Sequence, residues 1–392
     1  MSTNQELQQF LLNPFDWYRV QREISPVSHS QTNGVWSVFG YENVQRTLSD
    51  YTNFSSSLAM GGGGDISNPL GASMLSSDPP RHRQLRSLVT QAFTPRTIAL
   101  LEPRITAIVR ELLDGVTGSF DLIDTLAYPL PVIVIAELLG IPQQDRDLFK
   151  LWSDAIVVGP RAAGMAGRDP QQEMSDYFLR LIEKRQRYPD GQKPGGDLIS
   201  ALLAAQNEEG QHLSIVDVLG FCVLLLVAGN ETTTNLIGNA ILCFDEDPVQ
   251  WTKLRSEPEA LLGSAIEEVL RYRSPVQSMY RTTTATVELG SQVIPAGEPV
   301  IAWIGSANRD AEAFPDPDRF NIQRSPNRHL AFGHGIHFCL GAPLARLEAR
   351  IALGELCNRF AKITRIREAP LEPQPRTVVY GVKHLPVAVQ GG

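Results

Sequence analysis

The stretch from Leu213 to Asp247, LSIVDVLGFCVLLLVAGNETTTNLIGNAILCFDED, limits what this chain can fold into more than any other segment. Ser214 with Asp217 three residues on predicts a capping box, because a hydroxyl and a carboxylate at that spacing satisfy the first free amides of a helix. Apolar residues then continue without a proline, so the pattern predicts one helix over 213–245, running to about 247 and roughly 45 Å long at 1.5 Å per residue. A helix of that length crosses a whole domain. Its longest apolar run, VLGFCVLLLVAG (218–229), is shorter than the roughly 18 residues a bilayer span needs, and Asn230 and Glu231 end it. The segment reads as the buried central helix of a water-soluble protein.

Helical spacing dominates elsewhere. Apolar residues recur at three and four over 95–116, 129–140, 174–187, 196–206 and 258–273, the last stopping before Ser274 and Pro275. Alternating strand patterns are short and lie at 34–40, 284–304 and 377–389. The fold class is therefore mainly α with small β-sheets beside the helical mass. No internal repeat, long linker or like-charge block divides the 392 residues, so a single domain over 1–392 is expected. A net charge of −8 disfavours a nucleic-acid or anionic-lipid partner. The first 20 residues lack the pattern of a secretory signal or membrane anchor, so a cytoplasmic location is expected.

Four cysteines, at 222, 243, 339 and 357, show no paired spacing and no tight cluster, which disfavours zinc, iron–sulfur and a disulfide scaffold. Cys339 has the most telling surroundings, FGHGIHFCLG (332–341), inside an irregular passage from 315 to 341. Glycines at 333, 335 and 341 let a loop turn tightly and let backbone approach a flat ligand. A helix begins just after, with Pro343 in its first turn, and its N-terminal amides and dipole favour a thiolate at Cys339. A buried, inert cysteine beside a flexible loop is the plainer alternative.

The pattern F-x-x-G-x-x-x-C-x-G, met by Phe332, Gly335, Cys339 and Gly341, resembles the haem-binding loop of the cytochrome P450 family. AGNETT (228–233), which sets an amide, an acid and hydroxyls into an apolar helix, resembles that family's oxygen-activating motif. The resemblance extends over essentially the whole chain, with its motifs in order, and is closest to the soluble bacterial members. It implies the P450 fold, with haem b (iron protoporphyrin IX) between the central helix and the helix after the cysteine loop. Cys339 is then the axial ligand to iron. Phe332 packs by the haem, and Gly333, Gly341 and Ala228 allow its close approach. Glu231 and Thr232 are the acid and alcohol of proton delivery. His82, Arg86, Arg281 and His337 are the partners of the haem propionates.

Glu268 and Arg271 form the only Glu-x-x-Arg in the chain, a pair worth little on a helix surface. The resemblance makes it, with Arg319, a structural triad that anchors the cysteine loop. It also draws the substrate pocket from the loops around 61–75 and 157–167 and from Met74, Leu225, Ala228, Val276, Met279 and Val379. These apolar or small residues suit a fatty acid, terpenoid or steroid-like molecule.

The implied reaction inserts one oxygen atom of O2 into such a substrate. Two electrons come ultimately from NAD(P)H through a separate ferredoxin or flavodoxin and its reductase, since no flavin or iron–sulfur segment is seen. A monomer is expected. A peroxide-using or non-oxygenase haem-thiolate enzyme would share the Cys339 loop, but such members often lose the acid and alcohol that Glu231 and Thr232 retain. A non-enzymatic haem sensor would need only the loop and the propionate partners. No dinucleotide fingerprint, G-x-S-x-G elbow or H-E-x-x-H motif is present.

Overall fold

The computed structural model describes residues 3–60, 68–158, 165–187, 196–207 and 209–391. The chain forms two compact units. One comprises Met1–Ser55, Glu102–Leu130 and Thr232–Gly392, and the other Ser56–Leu101 and Pro131–Glu231. The central helix, Ile215–Glu246, changes unit between Glu231 and Thr232. Its length and composition alone would let it cross a membrane, but half of its most apolar window is already buried in the protein.

The first unit holds the sheets. Five strands lie in the order Val27–Ser30, Val35–Val38, Pro299–Ala302, Met279–Thr283 and Phe54–Ser55. All neighbours are antiparallel except Val35–Val38 with Pro299–Ala302, where Trp36 faces Val300 and Val38 faces Ala302. Val38, Phe54, Val300 and Ala302 of this sheet are buried in one hydrophobic cluster with Val44. Met279–Thr283 thereby sets Arg281 on a rigid strand. A three-stranded sheet of Ser119–Asp121, Pro386–Gly391 and Phe360–Arg365 and a hairpin of Val287–Leu289 with Gln292–Ile294 complete the β structure.

Three helices of this unit matter for the site. Ala342–Arg359 packs against both Pro258–Tyr272 and Glu102–Leu112. Pro258–Tyr272 begins with proline at its first turn and buries Ala265, Ile266, Val269 and Leu270, so the 3.6-residue spacing in the sequence is the packed face. Ala342–Arg359 starts with Pro343 near its N-terminus and buries Leu344, Leu347, Ile351 and Leu356.

The second unit is helical. Pro170–Arg187 packs on Arg146–Val158 and on Leu198–Ala204, and Leu198–Ala204 on Arg81–Ala92. Asp197 caps Leu198–Ala204 by accepting the Ser200 amide at 2.8 Å, and its other oxygen takes Arg185 Nε at 2.6 Å. Phe149 and Phe178 pack edge-on in its core, with ring centroids 5.6 Å apart.

Candidate active site

The cysteine loop is shaped by its own backbone. Gly333 and Gly335 both take left-handed conformations, with φ of +74° and +73°. A side chain at Gly335 would also place its Cβ 2.8 Å from the Cα of Ser49, so this residue must be glycine for both reasons. The Cys339 amide donates to the Phe332 carbonyl at 2.9 Å, closing the loop, and the helix Ala342–Arg359 starts three residues later with Gly341 at its N-cap. A Cβ at Gly341 would lie 3.8 Å from Cys339 Sγ.

The four cysteines differ in kind. Cys222, Cys243 and Cys357 are buried, and burial pushes the Cys243 and Cys357 thiols up to about 12 and Cys222 higher still. Only Cys339 is partly open, and only it stands at the positive end of a helix. Beside it, the Arg346 guanidinium lies 4.5 Å over the Phe332 ring and binds Glu267 through two nitrogens at 2.7 and 2.8 Å. Burial alone would raise the Glu267 carboxyl, but the bonds from Arg346 and His329 outweigh it and hold it at about 2. The aromatic wall of the loop is thus pinned to Pro258–Tyr272.

The expected Glu268–Arg271 pair forms, but its third side chain is not the expected one. Glu268 and Arg271 are fully buried and joined by two bonds of 2.8 and 2.9 Å. Arg271 also donates to the carbonyls of Asn308, Pro317 and Arg319, which ties the irregular passage to the helix. The third side chain is Arg324, not Arg319. Arg324 Nε lies 3.2 Å from both Glu268 oxygens and its side chain is 9% exposed, whereas Arg319 is exposed and offers only its carbonyl. The turn at 316–319 points the Arg319 side chain outward, and the chain returns to the carboxylate five residues later.

Other expected site residues fall as follows. Arg281 is 4% exposed on its strand. His337 ends a short 3-10 turn, Gly335–His337, and is half-buried. Val276 and Val379 pair directly as a β-bridge, and Gln277 N donates to the Val378 carbonyl at 2.7 Å, so the two first-unit pocket segments adjoin, with Met279 opening the next strand. In the second unit, the helix Arg81–Ala92 carries His82, which is 3% exposed, and Arg86, half-buried one turn on. Burial, and then Arg86, lower the His82 pKa. Met74 sits in the turn Met74–Ser76. The pocket segments 61–67 and 159–164 lie outside the described residues.

On the central helix, residues 217–223 and 233–245 are buried, but Leu224, Leu225, Val227, Glu231 and Thr232 are only half-buried and Ala228 is exposed. An apolar stripe at helical spacing is therefore open mid-helix, beside the acid and the alcohol. Sequence reading missed Glu348 in the helix after the cysteine loop. It is 1% exposed, burial pushes its carboxyl up to about 8, and Oε2 has no hydrogen-bond partner among the described residues. Its spacing from Leu344 and Ile351, on the apolar face, was the available signal.

A half-buried cysteine on a glycine loop at a helix N-terminus, beside a buried Glu–Arg pair, is the arrangement that the resemblance to haem-thiolate proteins leads one to expect. The family model for Cytochrome P450 matches residues 142–384, and the chain belongs to that family. The putative cytochrome P450 YjiB of Bacillus subtilis is 43% identical over 98% of this chain and 98% of its own length. Erythromycin C-12 hydroxylase of Saccharopolyspora erythraea is 42% identical over 95% of this chain and 93% of its own. Among solved structures, CYP109E1 from Bacillus megaterium in complex with testosterone is 44% identical, covers 96% of this chain and 99% of its own, and gives a TM-score of 0.86. The fold is the P450 fold and the chain is a cytochrome P450 monooxygenase, whose family cofactor is thiolate-ligated haem. The residues present fit that group. Within the first unit these are the soft sulfur donor of Cys339 and the buried cation of Arg281, and within the second the buried His82 and the apolar Leu225 and Ala228, each a residue type that an iron, a propionate or a flat macrocycle needs.

Proposed function

We propose that this enzyme hydroxylates a hydrophobic small molecule of fatty acid, terpenoid or steroid type. The reaction consumes one C–H bond, O2, two electrons and two protons, and yields one C–OH and one water. When bound, haem supplies the reductive activation of dioxygen. Cys339 Sγ holds the iron as a thiolate and pushes electron density toward it. His82, Arg86, Arg281 and His337 bind the propionates through charge-assisted hydrogen bonds. Thr232 Oγ1 presents a proton in the pocket, and the Glu231 carboxylate replaces it from solvent. Met74, Leu225, Ala228, Val276, Met279 and Val379 orient the substrate and exclude water.

The observation that carries this reading is the state of Cys339, the one cysteine of four that is not buried. The steroid reading draws further support from the structures of CYP109E1 with testosterone and with corticosterone. Electrons are supplied from NAD(P)H by a ferredoxin or flavodoxin and its reductase, and the protein works as a cytoplasmic monomer. The test is a fed reaction with ferredoxin, reductase and NADPH, using testosterone and a long-chain fatty acid as probes. A hydroxylated product is expected, and Thr232→Ala should lower product formed per NADPH while hydrogen peroxide rises. Unchanged coupling in Thr232→Ala would remove the proton-delivery role, and no shift of the haem spectrum with either probe would remove the substrate class.

A further inference from the structure

The helix that carries His82 and Arg86 begins with the wrong charges. Arg81, His82 and Arg83 occupy its first turn, no acid is present there, and Pro80 gives no side-chain cap. Cations at a helix N-terminus oppose the helix dipole, so this end lacks the acid that ordinarily steadies it. The missing charge comes from 136 residues away. Asp217 Oδ1 accepts a hydrogen bond from the Arg81 guanidinium.

Asp217 is itself immobilised. Its Oδ2 takes the Ser214 amide at 2.9 Å and the Ser214 hydroxyl at 2.7 Å, and its own amide lies 3.2 Å from Ser214 Oγ. Its side chain is 6% exposed, against 50% for Arg81. One turn further along, a Cβ on Gly220 would come within 2.6 Å of the Pro69 carbonyl, so the first turns of the central helix are seated on the segment leading into Arg81–Ala92. One carboxylate thus serves two helix N-termini, and a buried, fixed carboxylate holds a half-exposed arginine.

We propose that Asp217 is a positioning residue for cofactor retention: through Arg81 it clamps the helix that presents His82 and Arg86. This rests on the reading of those two residues as propionate partners. Haem leaves a protein through local openings, so a clamp on a contacting helix lowers the population of open states and slows release. The ion pair is half open to solvent, which keeps its effect modest.

The experiment follows haem transfer from the ferric holoenzyme to excess apomyoglobin. Asp217→Asn and Arg81→Ala should each release haem about threefold to tenfold faster than the parent, the range expected for a charge at a helix terminus and one partly exposed pair. The double variant should be no faster than either single variant, and Arg81→Lys should recover part of the loss. Thr94→Ala, which removes the N-cap of Pro95–Ala99 in the same unit, controls for general destabilisation and should leave the rate unchanged. Parental rates in Arg81→Ala, a surface change that spares folding, would overturn the clamp, as would rates that multiply in the double variant. Arg86→Ala separates the two layers. Faster release there with none in Arg81→Ala removes only the clamp, whereas a parental rate in Arg86→Ala removes the propionate contact beneath it.

Discussion

Glu348 should make this protein less stable as pH rises, and Glu348→Gln should remove that contribution. The carboxyl is buried in the helix that follows the cysteine loop, among Leu344, Leu347, Ile351 and Ala352, and burial pushes it up to about 8. An unfolded glutamate titrates near 4.5. Between these values the native side chain keeps its proton while the unfolded one has lost it, so stability falls with rising pH through this window and levels off above it. The gap between 4.5 and about 8 corresponds to an upper bound of about 5 kcal/mol. Glutamine keeps the shape and cannot ionise, at a cost of about 1–3 kcal/mol for an amide without partners. The variant should therefore match or trail the parent near pH 5 and exceed it near pH 8, by at most about 1–3 kcal/mol. Urea unfolding of both holoproteins across that range, followed by far-UV circular dichroism, reads the difference directly. A variant-minus-parent difference that stays constant with pH would refute the reasoning.

Two further predictions concern the anchor and the loop. Arg324→Ala should cost about 3 kcal/mol or more and reduce haem content, because it strips a buried carboxylate of one partner, while Arg319→Ala should stay within about 0.5 kcal/mol; thermal unfolding ranks them. Gly335→Ala should destabilise by about 1–3 kcal/mol, since φ is +73° and the new Cβ meets the Ser49 backbone. Gly341→Ala, with φ of −77° and 3.8 Å to Cys339 Sγ, should melt close to the parent. The reverse order in a melting experiment would mean that the loop is shaped by something other than these contacts.

Local chemistry was legible in the sequence and long-range geometry was not. The capping box of Ser214 and Asp217 marked the start of the central helix within two residues, and the observed end, Glu246, falls where Asp245–Asp247 breaks the apolar run. Glu268 and Arg271 stood out through the family resemblance, since their spacing by itself marks only a weak helix-surface pair. Arg324 did not, because its role depends on how an irregular chain turns back after residue 319. The helix expected over 95–116 is divided into Pro95–Ala99 and Glu102–Leu112, with Pro103 restarting it. The strand pattern at 284–304 proved to be three strands, and of 377–389 only the end, from Pro386, is strand, the rest joining through single bridges at Val379 and Val382. Sheet order was hidden because the parallel neighbours Val35–Val38 and Pro299–Ala302 are remote in sequence. Asp217 was read as a helix cap, but its second bond, to Arg81, has no sequence signal.

Whether Cys339 binds haem iron as a thiolate is read from the visible spectrum of the dithionite-reduced protein with carbon monoxide. A strongly red-shifted Soret band is expected in the parent protein and should be lost in Cys339→Ser. A Soret band at the ordinary position in the parent, or a red-shifted band that survives in Cys339→Ser, would contradict thiolate ligation by Cys339.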